Sequence, residues 1–373
     1  MIKNGFYMLV ILSIISCESS RKVKNDFQTI EIPFSENKEV FSTDVIDSIE
    51  YIILADTDQP IGSVEKMVVE DNKIMLWDNS HKCIWIFDDK GKFINQIAKL
   101  GRGPEQYTSL HGFSYTASDK IHINDWRVQK IKTYSLLGEL ICEEKTDGYV
   151  SNYVEFEGLK CFFNHDFEGD GEGKFYFNVK GSDNNAKGYL KYKSPFRFFG
   201  NGGDFILKNN ESLYLTLPYY DTIYSFENQQ LIVKYVLDFG VNNYPTQELY
   251  NAKTMDEIHN ILGRGGYIGN PSNVLISKKH LVLNYGQQID VYNTNVSTLV
   301  YNYITNSLYT YSIFNQGKHE ISVGYPLATD GYSFYSLKYL YEIPDTVKER
   351  FEEMGYVKHE NSNPIIVKYN YKI

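Results

Sequence analysis

The stretch of this 373-residue sequence richest in potential chemistry is GRGPEQY, residues 101–107. Its glycines open backbone conformations closed to other residues, and Arg102 offers a planar fork of donors suited to a carboxylate or a sugar acid. Glu105 and Tyr107 stand beside it as further polar contacts. The same composition suits a structural junction, with Arg102 and Glu105 tying neighbouring units while Pro104 and Tyr107 pack between them. A second stretch, DFEGDGEG at residues 166–173, spaces carboxylates at Asp166, Glu168, Asp170 and Glu172. Calcium takes about six to eight oxygens, so the clustering is apt. Yet Phe177 stands where a calcium loop needs its bidentate glutamate, and the expectation is a solvated hairpin loop with no metal. Tyrosine dominates the aromatics, with 32 Tyr against 22 Phe and 3 Trp. Most suit half-buried strands. Trp126, the pair Tyr219 and Tyr220, and Tyr332 with Tyr335 would also serve as stacking platforms for a sugar or peptide.

No established catalytic signature accompanies these residues. The sequence has no G-x-S-x-G elbow, no H-E-x-x-H, no Walker loop and no dinucleotide fingerprint. Its eight histidines are scattered singly, so nothing in their spacing argues for a metal or a catalytic dyad. No cofactor is expected. A net charge of −10 makes the chain a poor partner for nucleic acid.

The first residues speak to location. Lys3 is followed by a short apolar run from Phe6 to Ile15, too short for a permanent bilayer span. The tetrapeptide Ile14, Ile15, Ser16, Cys17 then resembles a bacterial lipobox. That resemblance implies a signal peptide over residues 1–17, cleaved before Cys17, with Cys17 diacylated and the lipid bilayer as a partner. Residues 18–26 read as a polar tether and 27–373 as one domain. The remaining cysteines, Cys83, Cys142 and Cys161, are odd in number and lack a C-x-x-C pair, which argues against a disulfide framework or structural zinc. Each is expected to act as a small buried hydrophobe, with one pair left open to bridging.

The elements that must position any site are legible as a repeat. Residues 71–94 and 118–141 align without a gap, placing Lys73, Ile74, Asp78, Gly91 and Phe93 over Lys120, Ile121, Asp125, Gly138 and Leu140. In each copy an alternating strand ends at an Asp, a second follows, and a Gly turn leads into another: the antiparallel meander of a propeller blade. Looser copies continue to the end of the chain, about six in all, with seven the geometric rival. Two segments read as helical inserts that partly cover one end of the disc, residues 245–263 and 344–355, each punctuated by Pro and Gly. The fold expectation is therefore an all-β, six-bladed β-propeller with two short helical inserts. The alternating final strand, residues 364–373, is expected to close the ring, with residues 27–34 as its partner from the other terminus.

GRGPEQYTSLHGF together with IHINDWRVQKIKTYSLLGELI resembles the NHL-type propeller repeat, although Trp126 and Arg127 stand where small polar turn residues are usual. More closely, the whole mature chain is similar to the six-bladed propeller lipoproteins of unknown function found in Bacteroidetes. The residues carrying this likeness are the lipobox, GRGPEQY, YYDTIY at 219–224 followed by YVLDFG, and a last strand opening with Asn363 and Pro364. The family loop reads GRGPGEY, so Glu105 and Gln106 displace its acidic position. The resemblance implies an outer-membrane lipoprotein, facing the periplasm or the cell surface. Within that frame the expectation is a non-catalytic ligand-binding or scaffolding propeller serving glycan or peptide uptake, with outer-membrane uptake proteins as partners. The alternative is a propeller-type polysaccharide lyase or hydrolase with an axial active site.

Overall fold

The computed structural model describes residues 27–33, 39–116, 118–164, 173–182, 185–192, 204–209, 212–291, 293–311, 313–315, 323–343, 345–353 and 363–372. Short alternating strands joined by tight turns leave each sheet with two apolar faces, which only stacking against neighbouring sheets can bury. Six such sheets form, and together they make a six-bladed β-propeller. Blade 1 comprises Val64–Glu70, Lys73–Asp78, Cys83–Asp88 and Phe93–Ile97, from the axis outward. Blade 2 repeats it with Phe113–Thr116, Lys120–Asp125, Lys130–Ser135 and Leu140–Lys145. The repeated glycines Gly91 and Gly138 hold matching φ values of 83° and 81° in the turn before each outermost strand. Blade 3 runs from Asn152–Phe156 to Ala186–Lys191, blade 4 from Ile206–Lys208 to Gln230–Asp238, and blade 5 from Ile268–Ile276 to Ser307–Tyr311.

Blade 6 closes the ring. Its order is Ala328–Thr329, Phe334–Lys338, Ile365–Tyr371 and, outermost, Ile46–Ile53 from the other end of the chain. Seven antiparallel register positions join Ile365–Tyr371 to Ile46–Ile53. The expected partner was different. Residues Gln28–Glu31 instead run parallel to the outermost strand of blade 4. The physical reason is burial: Ile30 and Ile32 fill the core between blades 4 and 5, a place the closing strand cannot reach. Between these two strands, Glu39–Phe41 pairs with Ile313–Asn315, so the N-terminal segment passes along blades 4, 5 and 6 in turn.

Because strand direction alternates outward from the axis, the connections between blades and the turns between second and third strands emerge on one face of the disc. Both helical inserts are of these kinds and share that face. The first is two helices, Thr246–Asn251 and Met255–Leu262, where one was expected. Thr254 divides them, its hydroxyl accepting a hydrogen bond from the Glu257 N–H at 3.2 Å as the second helix's N-cap. The later insert forms Asp345–Glu353. Leu249, Tyr250, Ile258, Ile261 and Leu262 pack into the core of blades 3 and 4, and Val347 and Phe351 into that of blades 5 and 6. They are packed caps rather than lids. Among the described residues, no helix is long and apolar enough to cross a membrane.

Cys83, Cys142 and Cys161 are all free thiols. Cys83 and Cys161 are buried as expected, but Cys142 lies on the outermost strand of blade 2 and is exposed, because that strand has no further sheet to cover it.

Candidate functional site

The innermost strands of the six blades surround an axial cavity of about 570 Å³. Two ion pairs cross it. Lys66 of blade 1 meets Asp204, just before blade 4, and Glu70 of blade 1 meets Lys208 of blade 4 at 2.9 Å. Blades 1 and 4 lie opposite each other in a six-membered ring, so these are rungs across the axis. The four-residue separation between Lys66 and Glu70 sets the rungs about 13 Å apart along an extended strand. Lys208 also donates to the Tyr115 carbonyl at 3.0 Å. Asn152 of blade 3 steadies the other rung, donating to Asp204 and accepting from the Phe205 N–H at 2.7 Å. Burial lifts the Glu70 carboxyl above its ordinary range even with the Lys208 ammonium against it.

Trp77 and Ser114 border the cavity, but the indole Nε1 of the one and the Oγ of the other are turned away from solvent and make no hydrogen bond within the protein. Native interiors rarely leave such donors unmet. The lining mixes apolar residues, among them Met67, Val69, Leu207 and Val274, with polar ones, among them Ser151, Ser272, Asn273 and Asn284. At the inter-blade face His111 borders the cavity and stacks on Trp126, with ring centroids 5.1 Å apart, and Trp126 in turn meets Tyr149 at 4.7 Å.

The residues singled out from sequence fall elsewhere than the cavity wall. Arg102, Glu105, Tyr107, Trp126, Tyr219 and Tyr220 all belong to connections on the inter-blade face, and Trp126 comes nearest the axis through His111. Arg102 is exposed, and Glu105 pairs with Lys99 at 3.3 Å. Tyr107 is wholly buried, its hydroxyl donating to the Lys82 carbonyl at 2.5 Å and its ring meeting Tyr134 edge-on. Tyr219 and Tyr220 are half-buried against Tyr244 and Tyr250, the latter on the first insert helix. The glycines of the loop do not use the left-handed region. Gly101 instead admits the Gln106 carboxamide so closely that a Cβ there would lie 2.1 Å from its Oε1, the atom that accepts the Gly103 N–H at 2.7 Å. Asp166, Glu168 and Asp170 lie outside the described residues, as do Cys17, the signal segment and the tether. Among the described residues no three His, Cys, Asp or Glu side chains gather as a cation site.

Beside the cavity, His122 is 2 % exposed between blades 2 and 3. Its Nδ1 meets the Thr133 hydroxyl at 3.0 Å, while its Nε2 makes no hydrogen bond and stands 3.7 Å from the Glu155 carboxylate. Burial pulls the imidazole down to about 4, although Glu155 works against it. The unfolded chain therefore takes up this proton first as pH falls. Stability conferred by neutral His122 is fully present above about pH 6.5 and is lost progressively toward about pH 4, by an amount of order 3 kcal/mol. Urea midpoints measured across this range fall more steeply for the wild type than for His122→Gln. Equal slopes would contradict the assignment.

The arrangement defines a class: a six-bladed β-propeller whose innermost strands enclose an axial chamber crossed by two ion pairs. The chain belongs to the family described as a domain of unknown function, DUF4934, whose profile matches residues 27–370. Among solved structures it is similar to a Bacteroides fragilis protein described as exported, with TM-score 0.73 and 16% identity over 93% of this chain and 100% of that one. It is also similar to a DUF4221 family member from Bacteroides vulgatus, with TM-score 0.56 and 13% identity over 88% and 97% of the two chains. Identities this low speak to the fold alone. No curated protein matches the chain.

Proposed function

We propose that this chain is a non-catalytic ligand-binding propeller of the cell envelope, held at the outer membrane through diacylated Cys17 and serving glycan or peptide uptake alongside outer-membrane uptake proteins. The observation that carries this reading is the axial cavity, bordered by all six blades and crossed by two ion pairs. Its volume of about 570 Å³ lies within the range of about 300–1,000 Å³ typical of small-molecule sites. Export is supported by the lipobox-like residues 14–17 and by the description of the Bacteroides fragilis relative as exported. The stacked His111 and Trp126 form the mouth.

A thermal-shift screen of protein lacking residues 1–17 against short glycans and peptides tests the reading. A ligand bound only by the native state raises the melting temperature with concentration. The expected result is a saturable rise with at least one member of the panel. A melting temperature unmoved by every member would contradict it.

A further inference from the structure

We propose that the face opposite the inter-blade connections rests on the lipid surface through the turns of blades 5 and 6, so that the cavity mouth points away from the bilayer; the placement rests on the reading above for the lipid at Cys17. The path of the chain selects this face. The outermost strand of blade 4, Gln230–Asp238, leads into an inter-blade connection and so runs toward the connection face. Gln28–Glu31 runs parallel to it, Gln28 opposite Tyr235 and Glu31 opposite Asp238. Traced back toward the N-terminus, this strand therefore heads for the other face, and the Gln28 carboxamide already meets Asn306 of a turn there, at 3.4 Å. Nine residues separate Cys17 from Phe27, which keeps the lipid within about 30 Å of that point.

Beside this point three turns of that face join into one strip. The Tyr303 N–H donates to the Lys279 carbonyl at 3.1 Å, and the Lys278 N–H to the Gly331 carbonyl at 2.8 Å. The Lys278 ammonium donates to the Tyr332 hydroxyl at 2.6 Å and lies 4.4 Å from the centre of its ring. Ile304 and Tyr332 are each 64% exposed, and Lys278 and Lys279 are exposed with them. The carboxylate in these turns, Asp330, is occupied, accepting from the Tyr332 and Ser333 N–H groups at 2.8 and 2.7 Å and from the Tyr335 hydroxyl at 2.8 Å. An aliphatic side chain, a tyrosine and two ammonium groups suit an anionic headgroup layer: the first enters the acyl boundary, the phenol sits at headgroup depth and the lysines meet phosphate. The connection face also exposes apolar side chains, but among carboxylates. Asp256 and Glu257 follow Met255, while Glu342, Asp345, Glu349, Glu352 and Glu353 follow Tyr341 against Lys348 and Arg350. An anionic surface repels that face and attracts the other.

Vesicles of phosphatidylcholine and phosphatidylglycerol test the placement, with an environment-sensitive fluorophore attached at Ile304→Cys or at Tyr341→Cys. Each is made in a Cys142→Ser chain, because Cys142 is an exposed thiol. Two forms are held on the vesicles: the mature lipoprotein, and a chain beginning at residue 18 whose N-terminal polyhistidine tag binds a nickel-chelating lipid. In both, the fluorophore at position 304 is expected to brighten at least about twofold, while that at 341 keeps its aqueous signal. Lys278→Glu with Lys279→Glu returns the signal at 304 to its aqueous level although the chain stays on the vesicle. Lys279→Glu alone serves should the pair lower the melting temperature. A response at 341, or none at 304 with the chain held on the vesicle, overturns the placement. A mature mass lacking the diacylglycerol, with the tagged chain still responding at 304 alone, counts against the anchor at Cys17 and leaves the face assignment standing.

Discussion

A chain ending at residue 363 loses its cooperative melt altogether. The deleted strand is the third of four in blade 6, bonded to Phe334–Lys338 on one side and Ile46–Ile53 on the other. Its two faces feed two different cores: Ile365, Val367 and Tyr369 point into that shared with blade 5, and Ile366 into that shared with blade 1. All four are wholly buried. Truncating one such side chain costs about 2–5 kcal/mol, and a domain's entire stability is about 5–15 kcal/mol, so removing the strand exceeds what the fold has. Deleting residues 27–33 provides the contrast. That segment lies on the rim of blade 4, outside the closing sheet, and its removal lowers the melting temperature while keeping one transition. If the chain lacking residues 364–373 melted cooperatively within a few degrees of the parent, closure through this strand would be refuted.

The second large effect is expected at Asp125. Wholly buried at the end of its strand, Asp125 accepts from the Thr108 and Ser109 N–H groups at 2.8 and 2.9 Å and from their hydroxyls at 2.7 and 3.0 Å. It thereby fastens the connection entering blade 2 to the turn within it. Asp78 does the same for blade 1, accepting from the Gly62 N–H at 2.8 Å and from Trp85 Nε1 at 3.1 Å. Burial acts to raise the Asp78 carboxyl, but the bonds from His81, Gly62 and Trp85 together hold it below its ordinary value. Asp125→Ala leaves two backbone donors unmet and costs about 3 kcal/mol, Asp125→Asn about half that. Urea unfolding measures both, and an Asp125→Ala midpoint equal to the parent's would contradict the assignment.

These aspartates were visible in the sequence because they recur at a fixed offset, and the same recurrence made the blades legible. Their work was not visible, since it depends on a loop lying 16 or 17 residues upstream of each. The axial site was hidden more deeply. The aligned copies of the repeat begin near the second strand, so the innermost strand, VEKMVVE in blade 1, lies just outside the segment the repeat makes legible. Lys66 and Glu70 find partners 138 residues away, and only ring closure brings them together. The available signal was a pair of opposite charges, Lys66 and Glu70, on the two sides of the apolar run Met67, Val68 and Val69. Arg102 drew notice by composition instead, but Gln106 and Tyr107 do the binding together of that loop and leave Arg102 in solvent. The closing strand was found and its partner was not, because residues 27–34 and 46–53 alternate alike and only the cores they enter tell them apart.

The central claim is that the axis, and no outer surface, receives the ligand. Ser272 lies half-buried on the innermost strand of blade 5 and borders the cavity, so Ser272→Trp fills the chamber from a wall that is not part of the packed cores. Calorimetric titration of the ligand with the highest affinity in the screen, into parent and Ser272→Trp proteins of equal melting temperature, tests the claim. The account predicts that binding falls at least tenfold or is lost in the variant. An unchanged Kd with the chamber filled would place the ligand elsewhere and contradict it.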